Sequence, residues 1–313
     1  MFFPNAFWKQ KARNALKNHW LTALLILLVV NLPSLLVQGI ASFTGNDLMV
    51  RFQNALYEAA TDSGMLNLQM MTDSLRELEQ SRGIWIMQGL NLLAWLITPC
   101  LAMGMYHWME LRLADQEADF TVVFSRLALF FKGIGLRIYT ALLVFLFMLP
   151  GIALSLLSLL PVWLADSSSR VSVLSSVNTS LTMMSVSSLV MLVLGIIAAL
   201  RYTLAEILMA GQPEMRITAA ARESRMLMKG HKGHLLFLFL SFIVWYLLEL
   251  FLTSLCLSMF GSIAALMTEM LCSLALNAYI YTTVCAFCDT LRQQAGSLNR
   301  PESPSPEDPA SIQ

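Results

Sequence analysis

Residues 235–258 read LLFLFLSFIVWYLLELFLTSLCLS, and after a short turn around Gly261 residues 262–286 read SIAALMTEMLCSLALNAYIYTTVCA. Each segment contains one acidic residue and no basic residue. A helix of about 20 apolar residues is long enough to cross the roughly 30 Å hydrocarbon core of a bilayer. The two segments therefore predict a hairpin of membrane-spanning helices.

Four more apolar segments precede this hairpin, at about 20–43, 84–109, 136–164 and 184–208. Hydrophobic residues make up 57% of the 313-residue chain and charged residues 13%, whereas a soluble domain has about 45–50% and about 25%. Lys and Arg total 20, as do Asp and Glu, so the basic excess that is typical of nucleic-acid binding is missing. We predict an all-α polytopic membrane protein with six transmembrane helices and no nucleic-acid partner.

The remaining segments have distinct compositions that predict distinct roles. Residues 1–19 contain four Lys or Arg and no acid, which predicts a basic interfacial helix before a membrane domain over 20–294. Helical spacing of apolar residues predicts an outer helical insert at 44–83 and an inner amphipathic helix at 209–234. The Pro-, Ser- and Glu-containing segment 295–313 is predicted to be a disordered tail.

The distribution of basic residues predicts the orientation of the six spans. The outer segments contain only four of the 20 basic residues, and the other sixteen fall on the side of both termini. The four are Arg51, Arg76, Arg82 and Arg170. Because basic loop residues stay on the cytoplasmic side, both termini are expected to be cytoplasmic in a protein of the plasma membrane.

A basic segment ending in Lys followed by Asn or Gly precedes three pairs of spans, at Lys17-Asn18, Lys132-Gly133 and Lys229-Gly230. This pattern indicates either a threefold internal repeat or only the basic residues that commonly precede any span entering from the cytoplasm. In both cases the inner face is expected to contact anionic lipid, since each Lys or Arg there contributes roughly 1 kcal/mol. The candidate headgroup contacts are Lys17, Lys132, Arg222, Arg225, Lys229 and Lys232.

Two carboxylates, Glu249 and Glu269, lie inside the last two spans. They are symmetric about the turn of the hairpin, so they are expected at similar depth and facing one another. Acidic residues inside a membrane are candidates for ion or proton handling. Glu249 and Glu269 therefore form either an intramembrane proton or ion pair or a structural hydrogen-bonding pair.

No catalytic motif accompanies these residues. Cys285 and Cys288 form a single C-x-x-C, and His231 and His234 lack a third ligand, so neither pair predicts a metal site or a cofactor. The preferred hypothesis is a non-enzymatic protein that scaffolds or regulates a lipid or a membrane protein partner at the inner leaflet. A small transporter using Glu249 and Glu269 is the alternative, and a membrane-embedded enzyme acting on lipid is a third hypothesis.

Several stretches of the chain resemble a known family. Residues 219–233 read AAARESRMLMKGHKG, residues 11–20 KARNALKNHW, residues 149–152 LPGI and residues 286–289 AFCD. In this combination they resemble the bacterial integral membrane proteins of domain of unknown function 975. A Pro-Tyr pair expected near the last span is replaced here by Asn277 and Tyr279. The resemblance implies a bacterial multi-pass membrane protein and implies no activity.

Overall fold

A computed structural model describes residues 5–44, 82–158, 160 and 170–298. Within this part the secondary structure is mostly helical, with no strand, which confirms the prediction of an all-α fold. The α-helices are α1 Asn5–Leu16, α2 Trp20–Thr44, α3 Arg82–Leu113, α4 Phe130–Leu157, α5 Arg170–Tyr202, α6 Ala205–Gly211, α7 Ile217–Leu227, α8 Lys232–Leu240, α9 Ile243–Phe260 and α10 Ser262–Leu298. A 3₁₀ helix, Phe120–Leu129, precedes α4.

Six helical segments of the described chain are long and apolar enough to span a membrane, which confirms the predicted number of spans. They are Trp20–Val37, Trp85–Leu113, Phe120–Leu157, Thr179–Gly211, Lys232–Phe260 and Ile263–Ala295. The predicted insert at 44–83 lies almost entirely outside the described residues. The predicted tail also lies outside them beyond Leu298, where α10 ends.

The spans pack as three hairpins, α2 with α3, α4 with α5 and α9 with α10. The buried core lies at one end of these hairpins, which we name the α1 side because α1 and the end of α10 meet there. Its large, fully buried side chains include Trp108, Phe242 and Phe287. Toward the opposite side the helices expose large apolar side chains, and α9 has no buried residue. Such exposed apolar halves are suited to contact with lipid.

Helix α1 packs one of its faces against this core. Trp8, Ala12 and Leu16 are buried, and the Trp8 ring meets Phe287 edge-on with centroids 5.0 Å apart. The spacing of these three residues by four places them on one helical face. Some basic residues of α1 therefore lie beside the face that packs on the bundle, and another lies on the exposed face.

The three basic segments do not share one local structure. Asn18 and Gly230 have left-handed backbone conformations, with φ of 67° and 87°, and each separates two helices. Gly133 instead lies inside the continuous helix α4, and the residues before it form the 3₁₀ helix. The second segment thus differs from the other two, although a hairpin follows each of them.

Replacing Gly230 with alanine is expected to lower the free energy of unfolding by roughly 1–2 kcal/mol, because an L side chain is strained at positive φ. An added Cβ would meet no atom within 4 Å, so the cost is conformational alone. Thermal unfolding of the purified protein in detergent measures the change. Gly89→Ala is the matched control: its Cβ also has open space, it lies inside α3, and alanine there is not expected to destabilise. Equal losses for both variants would contradict the prediction.

Candidate functional site

The structure brings a cation and an anion together inside the helical bundle. Arg137 of α4 donates from Nη1 to Oε1 of Glu206 in α6 over 2.8 Å. The Arg137 guanidinium also lies over the ring of Trp95 in α3, 5.3 Å from its centroid. Its Nε is buried and has no hydrogen-bond partner in the described part of the chain. The ion pair therefore uses only some of the hydrogen-bond donors of Arg137.

The depth of this ion pair follows from its contact with Trp95. Trp95 lies thirteen residues after Arg82 and eighteen before Leu113, the two ends of α3. At 1.5 Å per residue it is about 20 Å from one end of the helix and about 27 Å from the other. Arg137 therefore lies beside the middle of α3. It is two turns into α4, after the 3₁₀ helix.

A partly open cavity of about 520 Å³ lies beside the ion pair, between α3, α4, α10 and the α5–α6 junction. We name this cavity the Arg–Glu chamber. Most of its wall is apolar or aromatic, and the Tyr106 and Tyr281 rings meet edge to face with centroids 6.1 Å apart. Six of its lining residues are Arg137, Glu206, Trp95, Phe145, Tyr106 and Tyr281. An apolar chamber with a few converging polar groups is typical of small-molecule sites.

A second cavity of about 730 Å³ shares Trp95 and Arg137 with the Arg–Glu chamber. It extends along α3 away from the α1 side and has polar side chains on its wall, namely Ser34, Gln88, Asn91 and Thr98. Gln88, Asn91, Trp95 and Thr98 recur at intervals of three or four residues, so they share one helical face. Sequence analysis missed this site because Arg137 and Glu206 are 69 residues apart.

Glu249 and Glu269 are in different environments. Glu249 lines a separate groove of about 380 Å³ with Trp20, Trp245 and Tyr279. Its Oε2 is buried, and no described residue forms a hydrogen bond with it. The Glu269 side chain is exposed and is not part of the groove wall, although the two carboxylates interact electrostatically. The structure thus places one acid, rather than two, at a groove.

The six predicted headgroup contacts also divide into groups. Lys17, Arg222, Arg225 and Lys229 are exposed, and Lys232 is half-buried. Lys132 is directed into the protein, where its Nζ donates to the Pro213 carbonyl over 2.7 Å.

Lys9, beside the α8–α9 junction, and His231, at the start of α8, are both partly buried. Lys9 donates to the carbonyl of Ser241 over 3.4 Å, lies over the Phe242 ring, and has its pKa lowered by burial. The pKa of His231 is also lowered, first by burial and second by the nearby charge of His234. These two histidine rings are 6.0 Å apart between centroids.

The described residues contain no group of three or more His, Cys, Asp and Glu side chains arranged to hold a metal ion. Cys285 and Cys288 are both buried and unbridged within the core. No curated protein and no solved structure matches the chain. One family model does match, over residues 4–295, and its description is protein of unknown function (DUF975). The chain belongs to this family, as the sequence resemblance indicated.

Proposed function

We propose that this chain is a non-catalytic bacterial plasma-membrane protein that binds anionic lipid at the inner leaflet and serves there as a scaffold. The observation that carries the proposal is the exposed basic face of the α1 side. Arg222 and Arg225 of α7 and the following Lys229 are exposed, while Ala220, Ala221 and Ser224 on the other face of α7 are buried. Cations next to an anionic bilayer surface gain roughly 1 kcal/mol each.

An exposed apolar side chain accompanies these cations. Met226 of α7 is 60% exposed, directly beside Arg225 in the chain. A helix lying at a membrane surface combines apolar residues that enter the acyl region with basic residues at the headgroups. This combination favours contact with a lipid surface over contact with water alone.

The basic face is held in place by bonds to the bundle. Ser224 donates from Oγ to the Arg201 carbonyl over 3.0 Å, which attaches α7 to the end of α5. Lys11 pairs with Asp289 at 2.7 Å and Arg292 with Glu110 at 3.1 Å, which connect α1, α3 and α10. A surface fixed in this way is suited to a scaffold, because little ordering entropy remains to be lost on binding.

The combined substitutions Arg222→Gln, Arg225→Gln and Lys229→Gln are expected to reduce retention of phosphatidylglycerol by the full chain. Native mass spectrometry of protein extracted from mixed phosphatidylglycerol and phosphatidylcholine membranes measures the retained lipid. Three contributions of roughly 1 kcal/mol predict a loss of about 100-fold in relative affinity. The loss is also expected to shrink as ionic strength rises.

Lys132→Gln is the matched control, because it removes one cation from the same side while the Lys132 ammonium is bonded to the Pro213 carbonyl. This variant is expected to retain phosphatidylglycerol nearly as the unmodified protein does. An unchanged lipid profile in the triple variant would refute the lipid-scaffold proposal. A loss in the control equal to that of the triple variant would do so as well.

A further inference from the structure

We propose that the Arg–Glu chamber binds a small zwitterion whose carboxylate and ammonium are attached to one carbon, as in an α-amino acid with an apolar side chain. The proposal is independent of the lipid scaffold, since no residue of the chamber lies on the basic face of α7. It rests on the charge balance, the unsatisfied donor, the wall and the polar approach to the chamber.

The charge balance selects ligands without net charge. Arg137 and Glu206 neutralise each other at 2.8 Å, and their side chains are 33% and 16% exposed. A ligand with a single charge would bring an uncompensated charge into a low-dielectric region, which is unfavourable. A zwitterion adds one charge of each sign, and each finds its opposite in the pair.

The geometry of the pair selects the spacing of the ligand charges. Because Nη1 of Arg137 and Oε1 of Glu206 are in contact, a matching ligand needs an anion and a cation that are also close neighbours. The Nε of Arg137 is buried and has no hydrogen-bond partner among the described residues, so a carboxylate oxygen reaches it only if the guanidinium turns toward the chamber. Guanidinium groups bind carboxylates through two such donors in parallel. Widely separated charges would meet only one member of the pair.

The chamber wall selects the remainder of the ligand. Next to the ion pair, α4 contributes Ala141, Val144, Phe145 and Met148, which are apolar. A cavity of about 520 Å³ is within the usual range for small ligands. An aliphatic or aromatic side chain would gain roughly 25 cal/mol for each Å² of apolar surface that it buries.

The position of the chamber argues against a lipid headgroup as the ligand. Headgroups lie at the membrane surface, whereas Trp95 beside the pair is about 20 Å from the nearer end of α3. The second cavity, with Gln88, Asn91 and Thr98 on its wall, reaches Arg137 from the side opposite α1. These polar side chains can hydrate a solute on its way to the pair.

The test is equilibrium binding of radiolabelled L-phenylalanine, L-leucine and L-tryptophan to the full chain in phosphatidylcholine nanodiscs. At least one of the three is expected to bind saturably. Phenethylamine and 3-phenylpropionate, which each keep a single charge of phenylalanine, are expected to compete about 100-fold less well, because each leaves one chamber charge unmatched. Equal competition by either analogue, or no saturable binding of any of the three, would overturn the proposal.

The double variant Arg137→Gln, Glu206→Gln locates the site, since two amides can still hydrogen-bond to each other. It is expected to lose about 100-fold in affinity while eluting as a monodisperse species. Glu249→Gln changes an acid in a different groove and is the matched control, with affinity expected to be unchanged. Affinity retained in the double variant, or lost in the control, would place the site elsewhere.

A second variant covers the case in which the double variant does not fold. Trp95→Phe keeps an aromatic ring beneath Arg137 and removes one of seven tryptophans. The change in tryptophan fluorescence that follows amino-acid binding in the unmodified protein is expected to disappear in this variant, while radiolabel binding persists. An unchanged fluorescence response would show that the ligand does not reach the chamber.

Discussion

Replacing Trp108 with alanine is expected to lower the free energy of unfolding by about 3–5 kcal/mol, the usual cost of removing a large aromatic side chain from a core. Trp108 is fully buried in the core of the α1 side. Its indole Nε1 donates to the Ala118 carbonyl over 3.0 Å, and Arg112 donates to the same oxygen over 2.9 Å. The variant therefore opens a cavity and removes one of the two side-chain hydrogen bonds to the Ala118 carbonyl.

Thermal unfolding in a mild detergent, followed by loss of the monodisperse peak in size-exclusion chromatography, measures this effect. Trp85→Ala is the matched control, because Trp85 is on the same helix α3 and is 66% exposed. The control is expected to leave the midpoint of unfolding nearly unchanged. Similar losses at the two positions would contradict a core confined to the α1 side.

The number of spans was predictable because length and apolarity are local properties of a segment. The packing of the helices was not predictable in this way, since α6 and α9 are both strongly apolar yet differ in burial. Five of the seven residues of α6 are buried, whereas α9 has no buried residue. Hydropathy reports whether a segment prefers lipid to water, but lipid and a protein interior are equally apolar. The difference depends on tertiary contacts that no single segment encodes.

The dependence on tertiary contacts also explains why the sequence did not distinguish exposed charged residues from those that are bonded inside the protein. Lys17 and Lys132 look alike in the sequence, each followed by a helix-weakening residue, yet Lys17 is exposed and Lys132 bonds to Pro213. Only a partner 81 residues away separates these two cases. Glu249 was identified because an acid inside an apolar segment is conspicuous. Arg137 and Glu206 each lie near the end of a predicted span, where a charge is ordinary.

Arg292→Gln is expected to lower the free energy of unfolding by roughly 1–3 kcal/mol, because it leaves the Glu110 carboxyl group without its countercharge at a helix junction. The side chains of Arg292 and Glu110 are only 26% and 21% exposed. The end of α6 packs directly on them, since a Cβ added at Gly211 would lie 2.7 Å from Oε2 of Glu110. Chemical unfolding with a guanidinium-free denaturant such as urea measures the loss without screening the ion pair.

The double variant Glu110→Gln, Arg292→Gln separates the worth of the pair from the penalty of an orphaned charge. It is expected to recover most of the lost stability, because two amides need far less solvation than a lone carboxylate. Lys11→Gln breaks the more exposed pair with Asp289, whose side chains are 28% and 37% exposed, and is expected to cost less than about 1 kcal/mol. If the double variant were no more stable than Arg292→Gln, the arginine would stabilise the junction by packing rather than by charge. If Lys11→Gln cost as much as Arg292→Gln, burial at the α6 contact would not be what makes the Glu110 pair strong.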